Sequence, residues 1–117
     1  MKRCIGSLLA VSSFLAFSIC HAGAQVERIV IAAGTDEDHA LQAINNEQDA
    51  SKRTAMYEDF VQKFSSNPQA VAYGNWQIAQ TYQASGDLQK SLDYGDKAIA
   101  SSPRNLEILV SQEGTAL

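Results

Sequence analysis

Cysteine, histidine, proline and basic residues are all scarce in this chain of 117 residues. The only cysteines are Cys4 and Cys20, both in the first twenty positions, and the only histidines are His21 and His39. That scarcity closes multi-histidine and thiolate chemistries beyond the first segment. Lysine and arginine total 9 against 13 acidic residues, a formal charge of −4. A chain without basic excess has no electrostatic reason to seek nucleic acid. The seven glycines are scattered, so no glycine-rich loop exists to cradle a phosphate. Prolines are limited to Pro68 and Pro103. What is plentiful is apolar: 45% of residues, with 19% charged, a balance that is neither disordered nor fibrous.

One apolar run stands apart. Met1-Lys2-Arg3 is a short positive start, Ile5 to Ile19 carries no charge, and Ala22-Gly23-Ala24 follows. Charged start, apolar run and Ala-x-Ala exit describe a secretory signal peptide over residues 1–24, cleaved after Ala24. A spanning helix needs about 20 apolar residues, and this run is shorter, though an uncleaved anchor is the alternative. Lipid attachment at Cys20 is disfavoured because Ile19 before it is not small. The expected address is export, to the periplasm. Cleavage leaves 93 residues, removes both cysteines with Lys2 and Arg3, and moves the formal charge to −6. A domain of that size supports about 5–10 kcal/mol of stability.

Gln25 to Thr35 reads as a linker. Its Ile29-Val30-Ile31 run favours extended backbone, but no second strand exists to pair with it, so it is expected to lie along a neighbouring surface. Thr35 then caps a helix whose first turn holds Asp36, Glu37 and Asp38, where negative charge complements the helix dipole. From there the pattern is helical throughout: about 36–46, 50–64, 68–84, 87–101 and 104–112, with an unpatterned tail at 113–117. Asp49 caps the second helix. Met56, Phe60 and Phe64, with Tyr57 and Val61, make one wide stripe on it. Asn67 caps the third, Pro68 opens it, and Gly86 stops it in left-handed conformation. Leu88, Leu92, Ala98 and Ile99 form the apolar side of the fourth.

The turns repeat. Ser65-Ser66-Asn67-Pro68 and Ser101-Ser102-Pro103-Arg104 bring the two prolines 35 residues apart, and Phe64 and Ile99 each precede their proline by four. Helix pairs at this period cannot bury their apolar faces alone and must stack. Residues 72 to 105 resemble the tetratricopeptide repeat family. Ile78-Ala79-x-x-Tyr82 matches its Leu-Gly-x-x-Tyr core, and Gly86-Asp87-Leu88 resembles its inter-helix turn. Ser91, Ala98 and Pro103 fall at its small-residue and closing positions. Leu92, on the same helix, belongs to the repeat core. Trp76 sits one position nearer the isoleucine than the family's aromatic does, and Gly95 replaces a large residue. An earlier repeat, about 37–69, keeps chiefly Leu41, Ile44, Tyr57, Phe60, Phe64 and Pro68. The wider pattern is similar to exported bacterial tetratricopeptide proteins of unassigned role.

The resemblance implies an all-α fold: antiparallel helix pairs stacked as a right-handed solenoid, two repeats plus a terminal helix over 36–112. It implies a groove lined by the first helix of each pair, with Tyr73, Trp76, Gln80 and Gln83 as binding candidates. An aromatic beside neutral amides suits a peptide, because amides both donate and accept. The expected role is therefore non-catalytic: an interaction module of the cell envelope for an unidentified peptide or protein, with no cofactor and no metal. Two alternatives stand beside it. One is a structural subunit that self-associates through Leu106, Leu109 and Val110; the other is a truncated accessory domain of a larger envelope protein. The fifth helix is apolar on more than one face, and a missing partner helix beyond Leu117 or a second chain accounts for that. Asp36 to His39 splay around one helix and match no calcium or zinc spacing, so they are read as caps and solvated surface. Lys52-Arg53 is likewise read as solvated. Gly74 and Gly95 lie inside helices at about 1 kcal/mol each against alanine. Either Gly95 faces a bulky aromatic (Phe60, Trp76 or Tyr82) or both glycines are drift.

Overall fold

The computed structural model describes residues 26–117; the expected leader, with Cys4, Cys20 and His21, lies outside the described residues. Five helices follow an extended segment: α1 (Asp36–Asn46), α2 (Ala50–Lys63), α3 (Pro68–Ser85), α4 (Leu88–Ser101) and α5 (Leu106–Ala116). Among the described residues no strand forms. The fold is all-α, and each helix packs on its neighbours in the chain.

Local chemistry explains where the helices begin. Thr35 Oγ1 accepts from the Asp38 amide at 3.3 Å and Asp49 Oδ1 from Lys52 at 2.9 Å. Asn67 Oδ1 accepts from Gln69 at 3.1 Å and Ala70 at 3.3 Å, with Pro68 in the first turn. Its amide nitrogen also donates to Glu37 Oε1 at 3.2 Å, tying α3 to α1. Asp87 and Asn105 cap α4 and α5 in the same way. Each such cap stabilises its helix by about 1 kcal/mol. Gly86 closes α3 at φ 85°, a conformation that costs glycine nothing.

Two boundaries differ from the sequence expectation. Pro103 and Arg104 lie in a turn and not in α5, because the buried Asn105 side chain supplies the cap and sets the start at Leu106. The helix then runs through the expected tail to Ala116, where Thr115 is buried and its hydroxyl donates to the Ser111 carbonyl at 3.1 Å.

Two apolar clusters hold the bundle. The larger joins Leu41 and Ile44 of α1, Tyr57 and Phe60 of α2, and Ala70 and Ile78 of α3, flanked by half-buried Met56, Val61, Phe64, Tyr73, Tyr82 and Tyr94. The smaller joins Ala72, Ala98 and Ile108, one each from α3, α4 and α5, with Ile29, Trp76 and Ile99 against it. Of the expected repeat core, Ile78, Ala79 and Ala98 are buried, Tyr82 and Leu92 are half-buried, and Pro103 is exposed. Leu88 departs from expectation at 50% exposure. It opens α4 on the solvent side, and Ser91 and Gly95 face inward instead.

That inward side of α4 also corrects the reading of Gly95. No aromatic ring sits over it. The space a Cβ would fill holds the side-chain amide of Gln112 from α5, whose nitrogen donates to the Leu92 carbonyl at 2.8 Å. Glycine here admits a polar tie between α4 and α5.

Candidate functional site

Helix α3 is central, packed on α2 before it and α4 after it. One side of it, from Ala72 through Ile78 and Ala79, is buried. Residues spaced three and four apart share a helix face, so Tyr73, Trp76, Gln77, Gln80 and Gln83 form a second stripe around the same helix. The four binding candidates all belong to this stripe. Tyr73 and Trp76 meet edge to face with ring centroids 6.4 Å apart, and Tyr73 meets Tyr57 of α2 the same way at 6.5 Å. Such aromatic pairs add about 0.5–1.5 kcal/mol beyond their burial, which fixes Tyr73 against both α2 and its own helix. The Trp76 indole N–H is buried without an acceptor.

Gln80 sits elsewhere along the stripe. With Gln77, Arg53 and Tyr57 it lines an open cleft of about 560 Å³ between α3 and the α1–α2 junction. Gln83 is exposed. The four candidates thus divide between an aromatic pair near the start of α3 and amides toward its end. By sequence alone Arg53 belongs to a solvated helix face. Its place beside Tyr57 and the two glutamines depends on α2 packing across α3, which no local pattern announces.

The extended segment approaches the same region. Glu27 N donates to the Arg104 carbonyl at 3.1 Å and Val30 N to Gln69 Oε1 at 2.8 Å. Ile29 joins the cluster that contains Trp76, and Ile31 the one that contains Tyr73. Gly34 N then donates to Asp38 Oδ2 at 2.8 Å. Residues 27 to 34 therefore pass the amino-terminal ends of α5, α3 and α1 in turn. Sequence reasoning placed the run on a surface without saying which.

On the other side of α3, Val71, Asn75 and Ile78 floor a cleft of about 450 Å³ walled by Glu58, Tyr94 and Lys97. The Tyr94 hydroxyl donates to Glu58 Oε1 at 2.8 Å, its ring stacks on Tyr82 at 5.7 Å, and Lys97 lies 4.2 Å over it. The Glu58 carboxylate, by bond and by charge, together with burial, pushes the Tyr94 phenol up to about 12. Burial first, then the neighbouring Tyr73 phenol, pushes Tyr57 up to about 12. Both phenols hold their protons harder folded than unfolded. The stability they contribute is complete below about pH 10 and fades as pH climbs toward 12. In an alkaline absorbance titration, Tyr57 and Tyr94 should remain largely protonated at about pH 11, where a free phenol is mostly ionised. Early ionisation of both would refute this packing.

At the start of α1 two carboxylates are occupied locally. Asp38 accepts from Gly34 and Gln42. The start of α1 and the Asn67 amide together hold the Glu37 carboxyl below its ordinary range. Among the described residues, no three His, Cys, Asp or Glu side chains gather to hold a metal, and no helix is long and apolar enough to cross a membrane. No family model, curated protein or solved structure matches this chain.

Proposed function

We propose that this chain is an exported, non-catalytic interaction module of the bacterial cell envelope. Its helix pairs stack in the manner of tetratricopeptide repeats, and it docks a peptide or protein partner along the outer stripe of α3. The observation that carries this reading is the stripe itself: aromatic edges at Tyr73 and Trp76 and neutral amides at Gln77 and Gln80, beside a helix side already consumed by packing. Amides can pair with both donors and acceptors of a peptide backbone. Aromatics supply rigid contact area at small entropic cost, as interface anchors do.

The test is affinity capture from envelope extract, with the bait carrying Tyr73→Ala and Gln80→Ala together. Truncating an anchoring tyrosine costs about 2 kcal/mol or more of binding, about a thirtyfold loss. Because Tyr73 also packs on Tyr57, a second bait carrying Gln80→Ala and Gln83→Ala keeps the aromatic contacts. Undiminished capture by both baits, with helical content intact, would exclude the stripe. An amino-terminal readout of the same material checks release before Gln25.

A second reading rests on α5. Leu106, Leu109 and Val110 are exposed at three- and four-residue spacing while Ile108 is buried behind them, so one apolar face of the terminal helix points outward. Self-association through it predicts a dimer or larger species by light scattering at micromolar concentration; a monomer there counts against it.

A further inference from the structure

The segment at residues 26–32 behaves like a ligand. From Ile29 its side chains alternate: Ile29 and Ile31 turn inward, one into each apolar cluster, and Val30 between them stands 68% exposed, while residues 26–28 are exposed throughout. That two-residue period is the signature of an extended strand lying on a surface. Its backbone is tied to the helical body at three places: Glu27 N to the Arg104 carbonyl, Val30 N to the Gln69 side chain, and the Ala32 carbonyl, which accepts from the Thr35 hydroxyl at 2.7 Å and the Thr35 amide at 3.4 Å where α1 begins. No strand flanks it, so none of these bonds belongs to a sheet ladder. Before the Ala32 joint, two hydrogen bonds and two half-buried isoleucines hold residues 26–31, which resembles what a short bound peptide makes.

We infer that residues 26–32 are the chain's own displaceable occupant of an extended-peptide track across the amino ends of α5, α3 and α1. The track takes a segment of another polypeptide with β-branched apolar residues two positions apart. This rests on the docking reading above and narrows it to a peptide class. The chemistry is carried by three features. Ala72, Ala98 and Ile108 form an apolar seat for the first side chain. The larger cluster receives the second. The Gln69 amide reads the backbone N–H between them. The buried, unpartnered indole N–H of Trp76, in the cluster that Ile29 enters, is a donor that a rearranged or longer occupant can satisfy. The joint to α1 is short, Ala33 to Thr35 with Gly34 at φ 79°, so the local concentration of the segment is high. An occupant in place nine-tenths of the time weakens any competitor about tenfold.

The chain contains one tryptophan, which makes Trp76 a reporter. The whole chain, expressed with its own leader, is compared with a variant carrying Ile29→Asp and Val30→Pro. The first change removes the inward side chain and the second the amide hydrogen that Gln69 receives. Emission from Trp76 should move to longer wavelength in the variant while the far-ultraviolet helical signal is unchanged. A synthetic peptide of residues 25–32 should then bind the variant at least about tenfold more tightly than the unaltered chain and restore the original emission. A peptide with aspartate at both isoleucine positions should do neither. If the double variant loses helicity, Val30→Pro alone carries the test, since that side chain is exposed, and a severalfold gain in peptide affinity is expected. Equal affinity for altered and unaltered chains, or no binding by a well-folded variant, overturns the inference. Envelope capture that still depends on Tyr73 and Gln80 would then leave the broader docking reading standing.

Discussion

Ile78→Ala should lower the unfolding free energy by about 3–4 kcal/mol, the middle of the range for deleting a buried isoleucine. Ile78 is fully buried in the larger cluster, with Ile44, Tyr57, Phe60 and Ala70. It lies on the helix that packs against both α2 and α4, so no single neighbour can move to refill the space. It also forms part of the floor of the cleft beside Tyr94, and that cleft would deepen. For a domain of this size the total is about 5–10 kcal/mol, so one side chain accounts for about three-tenths of it or more. Each kcal/mol shifts the midpoint by about 4–8 °C, which puts the expected fall in Tm well beyond 10 °C. Leu106→Ala, at an exposed site, should change stability by no more than about 0.5 kcal/mol. Urea unfolding followed by circular dichroism measures both. A loss under about 1 kcal/mol at Ile78 would show that α3 is not the centre of the bundle.

The parts legible in the sequence are those whose physics is local. Thr35, Asp49 and Asn67 cap their helices through atoms two or three residues away, and Gly86 needs only its own backbone to turn left-handed. Those features are written within a few positions of one another. The misread parts all depend on a distant partner. Leu88 looks like core by periodicity, yet Ser91 and Gly95 take the inward positions because α5 comes close enough for Gln112 to reach Leu92. The pattern starts the fifth helix at about Arg104, but the buried Asn105 caps it and moves its start to Leu106. For the candidate site, the family resemblance is what groups Tyr73, Trp76, Gln80 and Gln83. It does not divide them between the aromatic pair and the Arg53 cleft, because that division is made by α2. The docking of Ile29 has no local signal at all, since its seat is assembled from three helices.

The two interior glycines should respond unequally, and the contrast tests the packing of α2 on α3 directly. On propensity alone, alanine at either position would stabilise its helix by about 1 kcal/mol. At Gly74 a new Cβ would collide with Val61 Cγ2, approach Phe60 Cδ1 to 3.3 Å and sit 3.6 Å from the Tyr57 carbonyl. Val61 is β-branched and stiff about its first torsion, so relief comes only by moving α2 away from α3. Gly74→Ala should therefore cost about 1–2 kcal/mol net and Gly74→Leu about 3 kcal/mol, as overpacking does. At Gly95 the obstacle is the free end of Gln112. Swinging it out loses its bond to Leu92, about 1 kcal/mol, and the gain in helix propensity offsets that, so Gly95→Ala should fall within about 1 kcal/mol of zero. Val61→Ala introduced with Gly74→Ala should recover part of the loss, a coupling of about 1 kcal/mol or more in a double-mutant cycle. Additive effects at 61 and 74, or a larger loss at 95 than at 74, would mean that α2 and α3 do not approach each other at that point, and the seating of Tyr57 against Tyr73 would go with it.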